Sequence, residues 1–337
     1  MRKVLCLSIA LTATVGLAVP TMADAVSDFY KGKRVNVIVG FSPGGGYDAY
    51  GRLFARHIPK HIPGKPNVIV QNMPGASSMK AVKYLTATAP QDGTVTTIFN
   101  PGLIAQSLST PDKIDIDFST LRFIGSATSD VRVCYFWHET GIKSMEDLLK
   151  RDQVVMGATA IGSNSYINGA LLRNMFGAKI KHVSGYPGSA EQRIAIERGE
   201  LQGDCGAWGS IPANWLKDGK AVPIVRFSKA EVDGMPKLPY IMDLAKSKEQ
   251  RQILNLVLSS AEIGRPFAVG PKVPDDRLTA LRSAFDKMIK DKDFVTEADK
   301  SRREIIGPMS GAEVEAMIKE IYATPKNIVS KVGGMTK

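Results

Sequence analysis

The chain has 337 residues, 44% hydrophobic and 23% charged, with a formal net charge of +11. This ordinary globular composition excludes a disordered or low-complexity chain, and roughly 310 residues beyond a leader exceed one compact core, so two lobes are expected. The Lys and Arg residues are scattered rather than run together, which fits an acidic small-molecule ligand or a basic solvated surface and leaves no expectation of nucleic acid for an exported chain.

Arg2 and Lys3 precede an apolar run from Val4 to about Pro20, and Ala23-Asp24-Ala25 offers a small-x-small cleavage site. That order describes a secretory signal peptide over 1–25, a chain starting at Val26 and a periplasmic address. No later stretch is long and apolar enough to span a bilayer. Past the leader only Cys134 and Cys205 remain. In an oxidising compartment they either form a disulfide or stay two small buried thiols. Neither has His or carboxylate neighbours at ligand spacing, so no metal is expected, and no cofactor.

The most informative stretch is VNVIVGFSPGGGYDAYGRLFAR, Val35 to Arg56. A β-branched apolar run predicts a strand, Pro43 and three glycines a turn, and the amphipathic residues after them a helix. Gly44, Gly45 and Gly46 let backbone N–H groups approach a bound group, and the helix start adds unpaired donors and a positive dipole end. Together these suit a carboxylate or phosphate. The alternative is a plain tight turn. Tyr47 either stacks on a ligand or packs, and Asp48 either binds a ligand ammonium or serves the helix start.

The same grammar recurs. Asn67 to Gln71 predicts a second strand, followed by a small-residue loop with Gly75, Ala76 and Ser77; Thr94 to Phe99 predicts a third, with Asn100 in its loop. Alternating strands and helices predict a mainly parallel sheet with ligands beyond its C-terminal edge. A second series follows: a strand to Ala158 with Thr159, Gly162, Ser163 and Asn164 in its loop, then Lys179 to Ser184 with Tyr186 and Gly188. Gly203 to Trp208 predicts another strand, on which Trp208 either walls an apolar ligand body or packs in the core. Arg132 and Arg193 are expected at the surface, with pairing to a second carboxylate as the alternative. The chain then returns along Ile263 to Val269 and ends in helices. The boundaries read are 26–131 plus 264–337 for lobe 1 and 132–263 for lobe 2, with a cleft between facing loop edges.

FSPGGGYD, NMPGASS, the AP-QDGT turn at Ala89 to Thr94 and SGYPGSAEQRIAIERGE resemble, in order and over most of the chain, the substrate-binding receptors of tripartite tricarboxylate transporters, the Bug receptors. The resemblance implies the two-lobed type II periplasmic binding-protein fold, no enzymatic activity, and a monomer that captures a small organic carboxylate for membrane permease subunits. It assigns one carboxylate to the amides of Gly44, Gly45 and Gly46, and further contacts to Pro74-Gly75-Ala76-Ser77, to Thr159, Gly162, Ser163 and Asn164, and to Tyr186 through Gly188. The sequence departs from the pattern at Gly40 for Pro, Tyr47 for Thr, Ser77-Ser78 for a glycine pair and Tyr166 for His. Two other classes remain: an ABC-type receptor of the same fold, and a secreted hydrolase using Ser42 or Ser163, although none of the four histidines sits in a recognisable triad spacing and GFSPGGG is not a nucleophile elbow.

Overall fold

A computed structural model describes residues 22–335. The predicted leader lies outside the described residues apart from its last few, which open the helix Met22–Tyr30. Among the described residues no helix is long and apolar enough to cross a membrane.

The chain first lays down β1 (Arg34–Val39), β2 (Asn67–Asn72), β3 (Val95–Ile98) and β4 (Arg122–Ser126). It then builds a second sheet from β5 (Val133–Trp137), β6 (Val154–Ala158), β7 (Ile180–Ser184), β8 (Gly203–Asp204) and β9 (Ala221–Arg226), and comes back for β10 (Pro266–Val269) and β11 (Met309–Ser310). The first sheet has the order β11-β4-β10-β3-β1-β2 and the second β7-β6-β8-β5-β9. The chain therefore crosses between sheets twice, as the sequence order suggests.

The expectation of mainly parallel sheets needs correction. β1 runs parallel to β2 and β3, and β6 to β7 and β8, but β10 is antiparallel to both β3 and β4, and β5 to both β8 and β9. β5 and β10 each adjoin a crossing and so enter their sheets from the opposite end to the strands closed by a helix, and β11 is antiparallel to β4 at the edge of the first sheet. Gly203 to Trp208 is also less regular as a strand than expected, since the continuous strand covers only Gly203–Asp204, pairing resumes as an isolated bridge between Arg132 and Ala207, and a 3₁₀ turn begins at Trp208.

Both faces of each sheet are covered, which accounts for the apolar runs. Along β1, Val35, Val37 and Val39 pack with Leu53, Phe54, Phe267 and Phe285, and the Phe54 and Phe267 rings stack at 4.1 Å. Ile38 points the other way, to Val82, Leu85, Phe99 and Phe123. In the second sheet Val133 and Tyr135 meet Trp208 and Trp215, while Cys134 and Phe136 join the cluster that holds Ile38. Cys134 is bonded to Cys205, on the neighbouring antiparallel segment. The helix Lys248–Ile263 precedes the return and packs on the helices Gly102–Ser109 and Lys326–Met335.

Because β1, β2 and β3 are mutually parallel through β1, their C-terminal ends lie at one edge. From there the chain enters the helices Gly46–His57, Met79–Ala87 and Gly102–Ser109. β6 and β7 likewise deliver the helices Asn164–Phe176 and Ser189–Glu197. The two loop edges face each other across a cleft.

Candidate functional site

The cleft is closed in this structure. Ser42 donates to Glu191 Oε2 at 2.8 Å and its backbone N–H to Pro187 O at 3.2 Å, while Arg193 Nη2 donates to Gly44 O at 3.0 Å. Farther along, Gln106 donates to the carbonyl of Gly162. Inside lies a cavity of about 610 Å³, counted out to its mouth.

The glycine wall is shaped by close approach. A Cβ on Gly46 would fall 2.5 Å from Ser210 Oγ and 3.1 Å from Arg265 Nη2, and one on Gly45 would fall 3.0 Å from Ser189 Oγ. Both lobes and a guanidinium thus reach the loop because these positions lack side chains. The helix Gly46–His57 starts here with its first N–H groups free of intrahelical acceptors. Tyr47 stacks on Phe41 at 4.5 Å and lies under the Arg265 guanidinium at 4.1 Å.

Of the predicted set, Gly44 and Asp48 do not line the cavity, and Asp48 takes the structural one of its two expected roles. The Gly44 N–H donates to Asp48 Oδ2 at 2.9 Å, and the same carboxylate takes bonds from Arg52 Nε at 2.9 Å and Asn72 Nδ2 at 2.8 Å. Burial works against its charge, but these hydrogen bonds outweigh it and hold the carboxyl below the usual aspartate range. Asp48 therefore fastens the glycine loop to its own helix and to β2. Gly44, at φ +84, is in the left-handed region where glycine is needed.

Gly45, Gly46, Tyr47, Ser77, Asn100, Thr159, Ser163 and Asn164 all line the cavity. Asn100 donates to Ser77 Oγ at 2.8 Å and accepts from Gly102 N at 3.0 Å, fixing its amide at the end of β3. Ser163 caps the helix Asn164–Phe176, accepting from Tyr166 N at 3.2 Å. The remaining candidates lie elsewhere. Gly75, Ala76 and Tyr186 border a separate recess between the lobes, shared with Ser77 and Thr159. Gly162 spends its carbonyl on Gln106. Gly188 precedes its helix against Ser42, where a Cβ would fall 2.3 Å from the hydroxyl. Trp208 packs in the core with Trp215 and Ile211.

Two departures from the family pattern explain each other. Ala76, Ser77 and Ser78 all have positive φ, which side chains seldom adopt. A Cβ on Gly40 would fall 2.1 Å from Ser78 Cβ, so the serine in place of a glycine fits because residue 40 is a glycine. Ser78 Oγ in return accepts from Asn100 N at 2.8 Å.

The floor of the cavity holds Arg265 and Asp130, which sequence reasoning missed, and Arg132, which it expected at the surface. Arg265 is 2% exposed and Arg132 7%, and both bind Asp130: Arg265 Nη2 to Oδ1 at 2.9 Å, Arg132 Nε to Oδ2 at 2.6 Å. For Arg265, burial opposes the charge, and Asp130 together with Tyr47, Tyr50 and Glu304 more than offsets it. These residues come from the two crossings, where Arg265 N also donates to Thr128 O at 3.1 Å. Gly264, at φ +57, permits that contact, since a Cβ there would fall 2.0 Å from Thr128 O. Arg193, expected at the surface, instead clamps the mouth through Gly44 and Ser210. Asp204 is buried beside the floor, and burial lifts its carboxyl to about 6 against the pull of Arg132 and Arg193. The available signal was charge at the entry to an apolar strand: Arg132 in VRVCYFW and Arg265 in GRPFAV.

No family model matches the chain. It is 24% identical over 285 residues, 82% of either chain, to a Cupriavidus necator protein described as "UPF0065 protein in gbd 5'region". Among solved structures, periplasmic binding protein BugD superposes with a TM-score of 0.74 at 17% identity, over 90% of this chain and 99% of that one. MatC from Rhodopseudomonas palustris, solved with bound malate, gives 0.72 at 16% identity over 88% and 99%. An R. palustris protein solved with adipate gives 0.71 at 19% identity over 90% and 97%. In fold the chain is similar to the periplasmic binding proteins of the Bug and TctC type.

Proposed function

We propose that the chain is a periplasmic solute-binding receptor that closes on a small organic carboxylate and presents it, as a monomer, to the membrane permease of a tripartite tricarboxylate-type transporter. The observation that carries this reading is the pair of buried guanidiniums, Arg132 and Arg265, sharing the single carboxylate of Asp130 beside a helix N-terminus. With Arg193 at the mouth, three guanidiniums face the carboxylates of Asp130 and Asp204, and the surplus positive charge is satisfied by an anion. Gly45, Gly46 and the arginine fork together match the planar geometry of a carboxylate. The ligands named for the R. palustris structures, malate and adipate, are of that class.

Capture works by population shift. A ligand that touches both the glycine loop and the second lobe favours the arrangement in which Ser42 meets Glu191 and Arg193 meets Gly44. The serines weighed as nucleophiles have other duties, Ser42 bridging to Glu191 and Ser163 capping a helix.

A thermal-shift screen against mono-, di- and aromatic carboxylates, amino acids and sugars tests the reading. Stabilisation confined to carboxylate-bearing compounds is expected, by roughly 2.7 kcal/mol at about a hundred times the dissociation constant. A neutral sugar that stabilises while no carboxylate does overturns it.

A further inference from the structure

The cavity offers more than an anion needs. Two of its lining side chains carry acceptor-only atoms with no partner: Asp204 Oδ1, on a residue 3% exposed, and Gln192 Oε1, on a residue 1% exposed. Both belong to the second lobe, Asp204 ending β8 and Gln192 in the helix Ser189–Glu197. An ionised carboxylate can only accept, and a buried acceptor left alone costs free energy. A plain carboxylate has no donor to give either atom, and its charge repels Asp204.

We propose that the ligand is a carboxylate that also carries a hydrogen-bond donor, a hydroxyl or an ammonium, and that Asp204, assisted by Gln192, selects for that donor. This deepens the carboxylate reading and rests on it. The cavity then has two poles. Gly45, Gly46, Arg265 and Arg132 supply donors and positive charge, while Asp204 and Gln192 supply acceptors. A site built around a buried polar group rejects analogues that leave it unpaired far better than an apolar pocket rejects a change of size. With its carboxyl at about 6, Asp204 is mostly ionised at neutral pH and able to accept. The groups facing it bear this out: Arg132 and Arg193 favour its charge, as does the backbone hydrogen bond at Cys205.

The test is titration calorimetry of the purified chain at neutral pH with matched series: succinate, malate and aspartate; glutarate, 2-hydroxyglutarate and glutamate; propionate, lactate and alanine. In the series that binds, a hydroxyl- or ammonium-bearing member is expected to bind at least about tenfold tighter than the plain one, and Asp204→Ala to shrink that preference below about threefold. Asp204→Asn keeps an acceptor in the same place, so it separates the two donors: a hydroxyl ligand keeps most of its preference and an ammonium ligand loses it. Should Asp204→Ala not fold, Asp204→Asn and Gln192→Leu carry the comparison, each lowering the preference for at least one donor class. Plain members binding as tightly as their substituted partners, or a preference unchanged in all three variants, overturns the proposal while leaving the carboxylate reading intact. Tighter binding of plain dicarboxylates on acidification also overturns it, since Asp204 would then act as a protonated donor. If no carboxylate in any series binds, the carboxylate reading itself fails.

Discussion

The two walls of the cleft prepare for an anion by opposite means. The Ser42 to Tyr47 loop brings no formal charge; it offers backbone N–H groups, held in position by one aspartate, Asp48, behind the cavity. The floor brings formal charge, with Arg132 and Arg265 locked to Asp130 on the segments that link the lobes. Backbone donors need only the right loop shape, so their cost lies in conformation. Buried guanidiniums must be paired even without ligand, so theirs lies in desolvation. The difference teaches that affinity and stability are coupled in the floor and separable in the loop. Since the floor sits at both crossings, the proposed function puts the sensing of ligand charge at the point where the lobes join.

The largest effect is expected from breaking the floor. Arg265→Met strands one side of the Asp130 carboxylate and removes the cation stacked 4.1 Å from the Tyr47 ring. Removing one partner of a buried pair costs about 3–5 kcal/mol. Denaturant unfolding should show that loss, and calorimetry should show the carboxylate affinity falling by more than about a hundredfold, the range of lost buried charge pairs at interfaces. A stable variant that still binds would mean the floor is structural and the loop alone holds the anion.

What the sequence could and could not announce follows the same division. Glycine runs, small-residue loops and helix starts are local signals, so the loop edge and the cavity positions of Gly45, Gly46, Ser77, Asn100, Ser163 and Asn164 were legible. The disulfide was visible as one of two options for Cys134 and Cys205, and cross-strand pairing decides between them. The floor was not legible, because Arg132 and Arg265 stand 133 positions apart in number and meet only through Asp130 once both crossings are laid down. Nor was the fate of Gly44 and Asp48. From sequence, an aspartate four residues after a glycine reads equally as ligand contact or anchor, and only its bonds to Gly44, Arg52 and Asn72 select the anchor. Trp208 was legible only as two options, because an aromatic after a strand looks the same whether it faces the cavity or packs in the core, and the structure takes the second.

A smaller effect sharpens the comparison through pH. Asp204 is an aspartate whose folded carboxyl titrates at about 6, above its unfolded value, because burial disfavours its charge. Its contribution to stability is therefore fully present below the unfolded value and lost as pH rises through about 6. Asn cannot titrate, so the stability of the wild type relative to Asp204→Asn should fall between about pH 4 and 6, by up to about 3 kcal/mol. Unfolding of both proteins across that range measures it. A flat difference would mean that Arg132 and Arg193 keep the carboxylate charged without cost, and the floor would then be electrostatically balanced rather than short of partners.

The smallest effect should come from the loop, and it separates an anchor from a surface pair. Asp48→Ala removes the acceptor of the Gly44 N–H and one of the two acceptors of Asn72 Nδ2, which costs about 0.5–1.5 kcal/mol for each hydrogen bond lost. Arg52 contacts the same carboxylate, but its side chain is 44% exposed, and such a pair is worth no more than about 1 kcal/mol. Arg52→Ala should therefore be nearly silent in both stability and binding. Asp48→Ala should weaken carboxylate binding by about tenfold, through a loop that no longer holds its donors in register, a loss of about 1.4 kcal/mol. Asp48→Asn keeps one acceptor for Gly44 and should recover part of that. If the two alanine variants behave alike, the glycine wall is held by its helix rather than by Asp48, and the contrast between the walls lies in charge alone.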